Sequence, residues 1–263
     1  MFYHNINPVL LRLGPFSIRY YGLTYALGFL LVFYILRKTA SEKRIKNFNV
    51  EKSEALVLWL ILSVIIGARL TTVLIFNHGF YFSNPLEILK IWHGGLSFLG
   101  GFISALIVGN WYCRKNNINF GKLADIVIIP VSLILGLGRI ANFINAELYG
   151  IKTAVKWCVV FPNAAGCRHP TQLYEAFAYI LIFFIIFFLY RRYLKDYKKR
   201  KIVPGTTLWI FGLLYGISRF IICFWKEQAV FLGLKEGQWF LLFLIIFSIG
   251  WLVRNYIVKN KPL

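Results

Sequence analysis

The chain has 263 residues, 59% hydrophobic and 18% aromatic, with only 15% charged. A soluble domain holds roughly 45–50% apolar and about 25% charged residues, so a water-soluble globule and a disordered chain are both excluded. Thirty Lys and Arg stand against ten Asp and Glu, a formal net charge of +20; that excess points to nucleic acid in a soluble protein and to loop sidedness in a membrane protein.

Seven apolar runs have about the length needed to span a bilayer, at about 20–36, 54–76, 96–113, 123–141, 172–190, 205–225 and 238–253. Lipid cannot satisfy an open strand, so each run is predicted to be a helix. The expected fold is an all-α integral membrane protein with a single polytopic domain over 1–263, because no long polar linker interrupts the runs. The first run is not read as a cleavable signal: nineteen residues precede it, without a basic leader, and no small-x-small cleavage site follows.

Sorting the basic residues by loop assigns most of the charge. Loops 37–53, 114–122 and 191–201 and the tail after 253 hold 19 Lys and Arg, and the opposite set (1–19, 77–95, 142–171, 226–237) holds eight. The positive-inside rule then puts the N-terminus outside and the C-terminus in the cytoplasm, and an odd number of spans agrees with termini on opposite sides. The run from Arg191 to Arg200 is read as topogenic, so no nucleic-acid partner is expected.

Three basic residues remain, Arg69, Arg139 and Arg219, each inside an apolar run. An arginine near a span's centre costs about 2.5–3.5 kcal/mol on insertion scales, so three together cost on the order of 8–10 kcal/mol. They lie 17, 17 and 18 residues beyond Lys52, Lys122 and Lys201, about 25–27 Å up each helix. Small residues precede each one: Gly67 and Ala68, Gly136 and Gly138, Gly216 and Ser218. Two readings stand. The guanidiniums form a buried anion site, for which their bidentate geometry suits phosphate. Alternatively they snorkel to headgroups or pair with Glu147 and Glu175 as structural ion pairs.

Polar residues gather around the second arginine. The run GRIANFINAELYG from Gly138 carries Arg139, Asn142, Asn145 and Glu147, the first three on one helical face. The run RHPTQLYEAF from Arg168 carries His169, Gln172, Tyr174 and Glu175. Asn142 and Asn145 could equally serve interhelical hydrogen bonds, and Gln172 and Glu175 could cap the helix after Pro170. The four histidines and four cysteines show no metal-ligand spacing. Cys158 and Cys167 share an outer loop, where disulfide and free thiols are both open.

GRIANFINAELYG closely resembles the signature of bacterial prolipoprotein diacylglyceryl transferases, and RHPTQLYEAF resembles that family's RHPSQLYE stretch. YYGLTYALGF from Tyr20, GARLTTVLIFN from Gly67, WHGGLSFLGG from Trp92, YGISRFIICFWKE from Tyr215 and EGQ from Glu236 continue the likeness in family order. The resemblance implies a seven-span enzyme of the bacterial plasma membrane that needs no cofactor. Such an enzyme transfers the diacylglyceryl group of phosphatidylglycerol to the lipobox cysteine of a prolipoprotein signal peptide, leaving a thioether and glycerol phosphate. It carries the family's two functional arginines onto Arg139 and Arg219, with Tyr21, Tyr215, Asn142, Glu147 and Gly150 as further site residues. Arg69 and Asn145 are expected nearby on the substrate side.

Two positions depart from the family pattern. Leu99 stands where the family has a histidine proposed as the base, and Cys223 where it has a glutamate. His93 and His169 are the expected substitutes for the missing base. The loop from Gly150 to Arg168 is also shorter than the family's. Two rivals remain: a non-catalytic lipid-binding or anion-transporting relative, supported only by Leu99 and Cys223, and a transferase with another acceptor.

Overall fold

A computed structural model describes residues 2–14, 16–194 and 202–258. Most of the basic run from Arg191 to Arg200, and the basic residues after Val258, lie outside the described residues. The described residues form eight α-helices: α1 (Tyr20–Ser41), α2 (Val50–Thr71), α3 (His78–Ser83), α4 (Phe98–Lys115), α5 (Phe120–Ile144), α6 (Thr171–Leu189), α7 (Thr206–Cys223) and α8 (Glu236–Val253).

Six helical stretches are long and apolar enough to cross a bilayer: Tyr20–Ser41, Val50–Phe76, Phe120–Ile144, Thr171–Arg192, Thr206–Cys223 and Glu236–Tyr256. The remaining expected run is helix α4, whose glycines, Asn110, Arg114 and Lys115 dilute its apolar character. Large apolar side chains such as Leu58, Phe177, Phe188 and Phe243 face outward, the inverse of a soluble protein and the pattern that lipid favours. The chain is an all-α integral membrane protein.

It divides into two compact units, one of residues 33–123 and one of 1–32 with 124–263. In the first, α2 and α4 run antiparallel. Small residues set their spacing: a Cβ on Gly67 would fall 2.7 Å from the Gly100 carbonyl oxygen, and one on Gly101 3.2 Å from Val64. The Ser104 hydroxyl donates to Ser63 O at 2.6 Å along the middle of the pair, and the Tyr112 hydroxyl to Lys52 O at 3.0 Å at one end. Such close approach is the usual basis of helix association in lipid.

In the second unit, Gly136 lies against Ile180 and Gly216 against Ile245, each too close for a Cβ. The small residues before the arginines thus serve helix contacts at Gly67, Gly136 and Gly216, whereas Gly138 has open space beside it. The fully buried Asp125 of α5 accepts from the amides of Gly205 at 2.8 Å and Leu208 at 3.0 Å, capping α7 from a neighbouring helix.

Short strands join the segments between spans. Strand β1 (Phe2–Tyr3) lies before an antiparallel pair, β2 (Val9–Leu13) and β3 (Phe16–Arg19), and itself pairs in parallel with β4 (Val159–Val160), which pairs antiparallel with β5 (Cys167–Arg168). A disulfide links Cys158 to Cys167, with Cα atoms 5.6 Å apart. Of the two states left open for these cysteines, this is the one the structure adopts.

Candidate functional site

The RHPTQLYEAF run starts α6 immediately after Pro170, whose lost amide matters least at a helix start. Glu175 therefore projects from the second turn, and it is fully buried. A buried carboxylate must be paired, and Glu175 has three cationic partners. Arg139 Nε of α5 lies 3.0 Å from Oε2, Lys226 Nζ lies 2.9 Å from Oε1, and Arg219 of α7 meets Oε1 in a close ion pair. The structure thus assigns Glu175 to a charge cluster rather than to capping. It also gives the expected ion pairing for Arg139 and Arg219, with the cations outnumbering the carboxylate.

A hydrogen-bonded relay extends from Arg139 along its own chain. Its Nη1 donates to Asn142 Oδ1 at 3.1 Å, and Asn142 Nδ2 donates to Glu147 Oε1 at 2.7 Å. Asn145 Nδ2 reaches the same oxygen at 3.2 Å. Both asparagines therefore serve this local turn rather than another helix. The turn bends Glu147 back because Ala146 and Leu148 take positive φ values of 55° and 60°, a costly conformation for residues with side chains. Gln172, fully buried, donates to Glu147 O at 2.6 Å instead of capping α6. Gly150 is a close-approach position: its amide donates to His169 O at 2.9 Å, and a Cβ there would lie 2.7 Å from the Thr171 side chain.

Aromatic residues complete the surroundings. The Tyr21 hydroxyl is 3.0 Å from that of Tyr25, which is close enough to Arg139 and Glu147 to feel both charges. The Tyr215 ring lies 5.1 Å from that of the buried Tyr179. His169 sits at the start of α6, with Nδ1 3.1 Å from the Tyr174 hydroxyl, which also accepts from Trp157 Nε1 at 2.7 Å. Burial pulls the His169 imidazole below its ordinary pKa. His169, Tyr174 and Trp157, with Leu173, Phe177 and Trp225, line an open, largely apolar cavity of about 590 Å³. The side chain of His93 lies outside the described residues.

Arg69 belongs to the 33–123 unit and has a different environment. Its Nε donates to Ile88 O at 2.9 Å, Nη1 to the carbonyls of Gly94 and Gly95, and Nη2 to those of Glu87 and Lys90. A guanidinium has five N–H donors, and five carbonyls of one loop take them. The Tyr81 ring covers the guanidinium at 4.7 Å. Arg69 thus holds the loop that precedes α4, and its donors are taken up by that loop's carbonyls.

Lys226 is the residue sequence reasoning misplaced, because it was counted among the loop charges. It lies three residues beyond α7 and is only 6% exposed. Burial first, then the guanidiniums of Arg219 and Arg139, lower its pKa to about 7. A signal was present: Arg219, Cys223 and Lys226 follow the i, i+4, i+7 spacing of one helical face. Tyr25 and Tyr179 were also missed, since a tyrosine in an aromatic-rich span carries no distinguishing pattern.

The fold and the site together define a polytopic membrane protein with a buried, net-positive polar centre built by α5, α6, α7 and the segment that follows α7. The family model described as prolipoprotein diacylglyceryl transferase matches residues 8–254. The chain is 37% identical over 238 residues to a phosphatidylglycerol–prolipoprotein diacylglyceryl transferase of Geobacter sulfurreducens, covering 90% of this chain and 88% of that relative. It is 41% identical over 237 residues to the enzyme of that name from Desulfotalea psychrophila, covering 87% and 84%. The chain belongs to the prolipoprotein diacylglyceryl transferase family.

Proposed function

We propose that the protein transfers the sn-1,2-diacylglyceryl group of phosphatidylglycerol to the lipobox cysteine thiol of a prolipoprotein signal peptide. A thioether forms and glycerol phosphate leaves. The observation that carries this reading is the cluster at Glu175, where two arginines and a lysine surround one carboxylate in a member of this family. Such an excess of buried positive charge suits a lipid phosphate. As the C–O bond breaks, negative charge grows on the phosphate oxygens, so Arg139 and Arg219 stabilise the transition state more than the ground state. Asn142, Asn145 and Glu147 orient Arg139, while Tyr21 and Tyr215 flank the lipid headgroup. Gly150 keeps the three segments around it close. His169, beside Tyr174, borders the route of the acceptor peptide.

In this reading the protein spans the bacterial plasma membrane seven times, with its N-terminus outside and its C-terminus in the cytoplasm. Pairing of β1 with β4 supports an even number of crossings between them, which makes α4 a span alongside α1, α2 and α5. The bridge between Gly150 and Lys226 supports one side for the α5–α6 and α7–α8 segments. A disulfide at Cys158 and Cys167 agrees with an outer, oxidising face.

The test is conversion of a lipobox peptide in phosphatidylglycerol vesicles, read by mass spectrometry of the thioether. Arg139→Ala is expected to lower the rate at least about 10²-fold, the usual effect of removing an oxyanion donor, while the protein still melts cooperatively. Full activity in that variant would refute the arginine assignment. Phospholipid binding by the wild type without glycerol phosphate release would favour the non-catalytic relative.

A further inference from the structure

The proposed reaction needs an acceptor for the thiol proton, since a free thiol with a pKa near 8.5 is only a few per cent ionised at neutral pH. Leu99 cannot supply one. Resting on the transferase reading, we propose that the amine of Lys226, held on Glu175 between two arginines, takes the proton from the acceptor cysteine.

The argument begins with charge. Lys226 Nζ lies 2.9 Å from Glu175 Oε1, the oxygen that Arg219 also meets, and Arg139 holds the other oxygen. The groups facing the amine are therefore Glu175 from α6, Arg139 from α5, and Arg219 and Cys223 from α7. Lys235, at the start of α8, donates to the Lys226 carbonyl and leaves the amine to the cluster. Glu227, next in the chain, is turned to Arg168 at 2.8 Å. Two guanidiniums against one carboxylate leave one positive charge in excess before Lys226 is counted. A buried site resists net charge. A bound phosphodiester brings one negative charge, so the loaded site is neutral when Lys226 is unprotonated.

The same count follows the reaction through. The thiol proton moves to Lys226 Nζ, and the sulfur attacks the glyceryl carbon. The C–S bond forms as the C–O bond breaks, and its electron pair stays on the departing phosphate oxygen. The leaving phosphomonoester now carries two negative charges, and protonated Lys226 keeps the site neutral. The proton then leaves with the glycerol phosphate or to water, which restores the amine. Burial and the flanking arginines lower the lysine to about 7, near the ideal for a base working at neutral pH.

The experiment compares wild type and Lys226→Arg in phosphatidylglycerol vesicles, with acceptor peptides carrying either cysteine or selenocysteine at the lipobox position. Arginine keeps the ion pair to Glu175 but cannot accept a proton. A selenol is ionised at neutral pH and needs no base. With the cysteine peptide, K226R is expected to lose about 10²–10⁴-fold in kcat, the range of general-base catalysis, with little change in KM for phosphatidylglycerol. With the selenocysteine peptide, it should recover to within about tenfold of the wild type. Wild-type kcat on cysteine should rise through about pH 7, whereas on selenocysteine it should stay flat.

Retained activity of K226R on cysteine overturns the proposal. An equal loss on both acceptors also overturns it and marks Lys226 as a phosphate or structural contact. If K226R fails to fold, the wild-type profile decides, and a rise centred near the free thiol's pKa of about 8.5 is the overturning result. Wild type that forms no thioether at any pH refutes the transferase reading itself.

Discussion

Glu175→Gln is the substitution that tests the polar centre most directly. It conserves volume, deletes the one carboxylate that meets Arg139, Arg219 and Lys226, and leaves the cations in a fully buried setting. Removing one partner of a buried ion pair costs about 3–5 kcal/mol, because the other charge stays desolvated and uncompensated. Three abandoned cations suggest more, but Lys226 can shed its proton, since its pKa is already lowered to about 7. Two guanidiniums remain without a carboxylate, so the cost is at least that of one pair. For a chain of this size, 3–5 kcal/mol corresponds to a fall in unfolding midpoint of about 6–20 °C. Thermal unfolding of detergent-solubilised wild type and E175Q at pH 7.5 measures it. Glu147→Gln is the control, because Glu147 is exposed and, among the described residues, its carboxylate accepts from two asparagines, and it should cost about 1 kcal/mol. If E175Q melts within about 2 °C of the wild type, less than 1 kcal/mol is lost and the cluster does not hold the three segments together.

Three further outcomes follow from the packing and the charges. Unfolded Lys226 titrates near 10.4 and folded Lys226 near 7, so between those values only the unfolded chain holds the proton. Stability should therefore rise with pH across that window, with no slope from this group outside it, and Lys226→Gln should flatten the rise in a denaturation series. Gly100→Val would drive a side chain into Thr71 and the Gly67 carbonyl; it should cost about 1–3 kcal/mol or more by overpacking, read as a lower melting midpoint. Arg69→Lys leaves three donors for five carbonyls, so tryptic cleavage after Lys90 should accelerate several-fold. An unchanged digestion rate would show that Arg69 does not pin the loop.

The spans were legible because lipid enforces long apolar runs, and all seven predicted runs lie on helices. Six meet the length and hydropathy of a span, and α4 is the one softened by glycine and polar residues. Arg139 and Arg219 stood out because charge is costly at that depth. Arg69 stood out for the same reason, yet hydropathy records where a charge lies and not what satisfies it; only the folded loop shows five carbonyls converging on one guanidinium. The opposite error fell on Lys226. It sits just beyond an apolar run, where a lysine ordinarily reports sidedness, and its burial depends on α5 and α6, far away in sequence. Glu175 was visible as an acidic residue after a proline. Its three partners come from three separate segments, so spacing within its own motif carried no trace of them.

The disulfide between Cys158 and Cys167 has a meaning beyond fastening the loop. On the proposed reading, the protein alkylates thiols, and any exposed thiol near its own site would compete with the incoming peptide. Of its four cysteines, two are bonded to each other, and the other two, Cys113 and Cys223, are buried. On that reading the protein offers no exposed thiol of its own to compete with the incoming peptide.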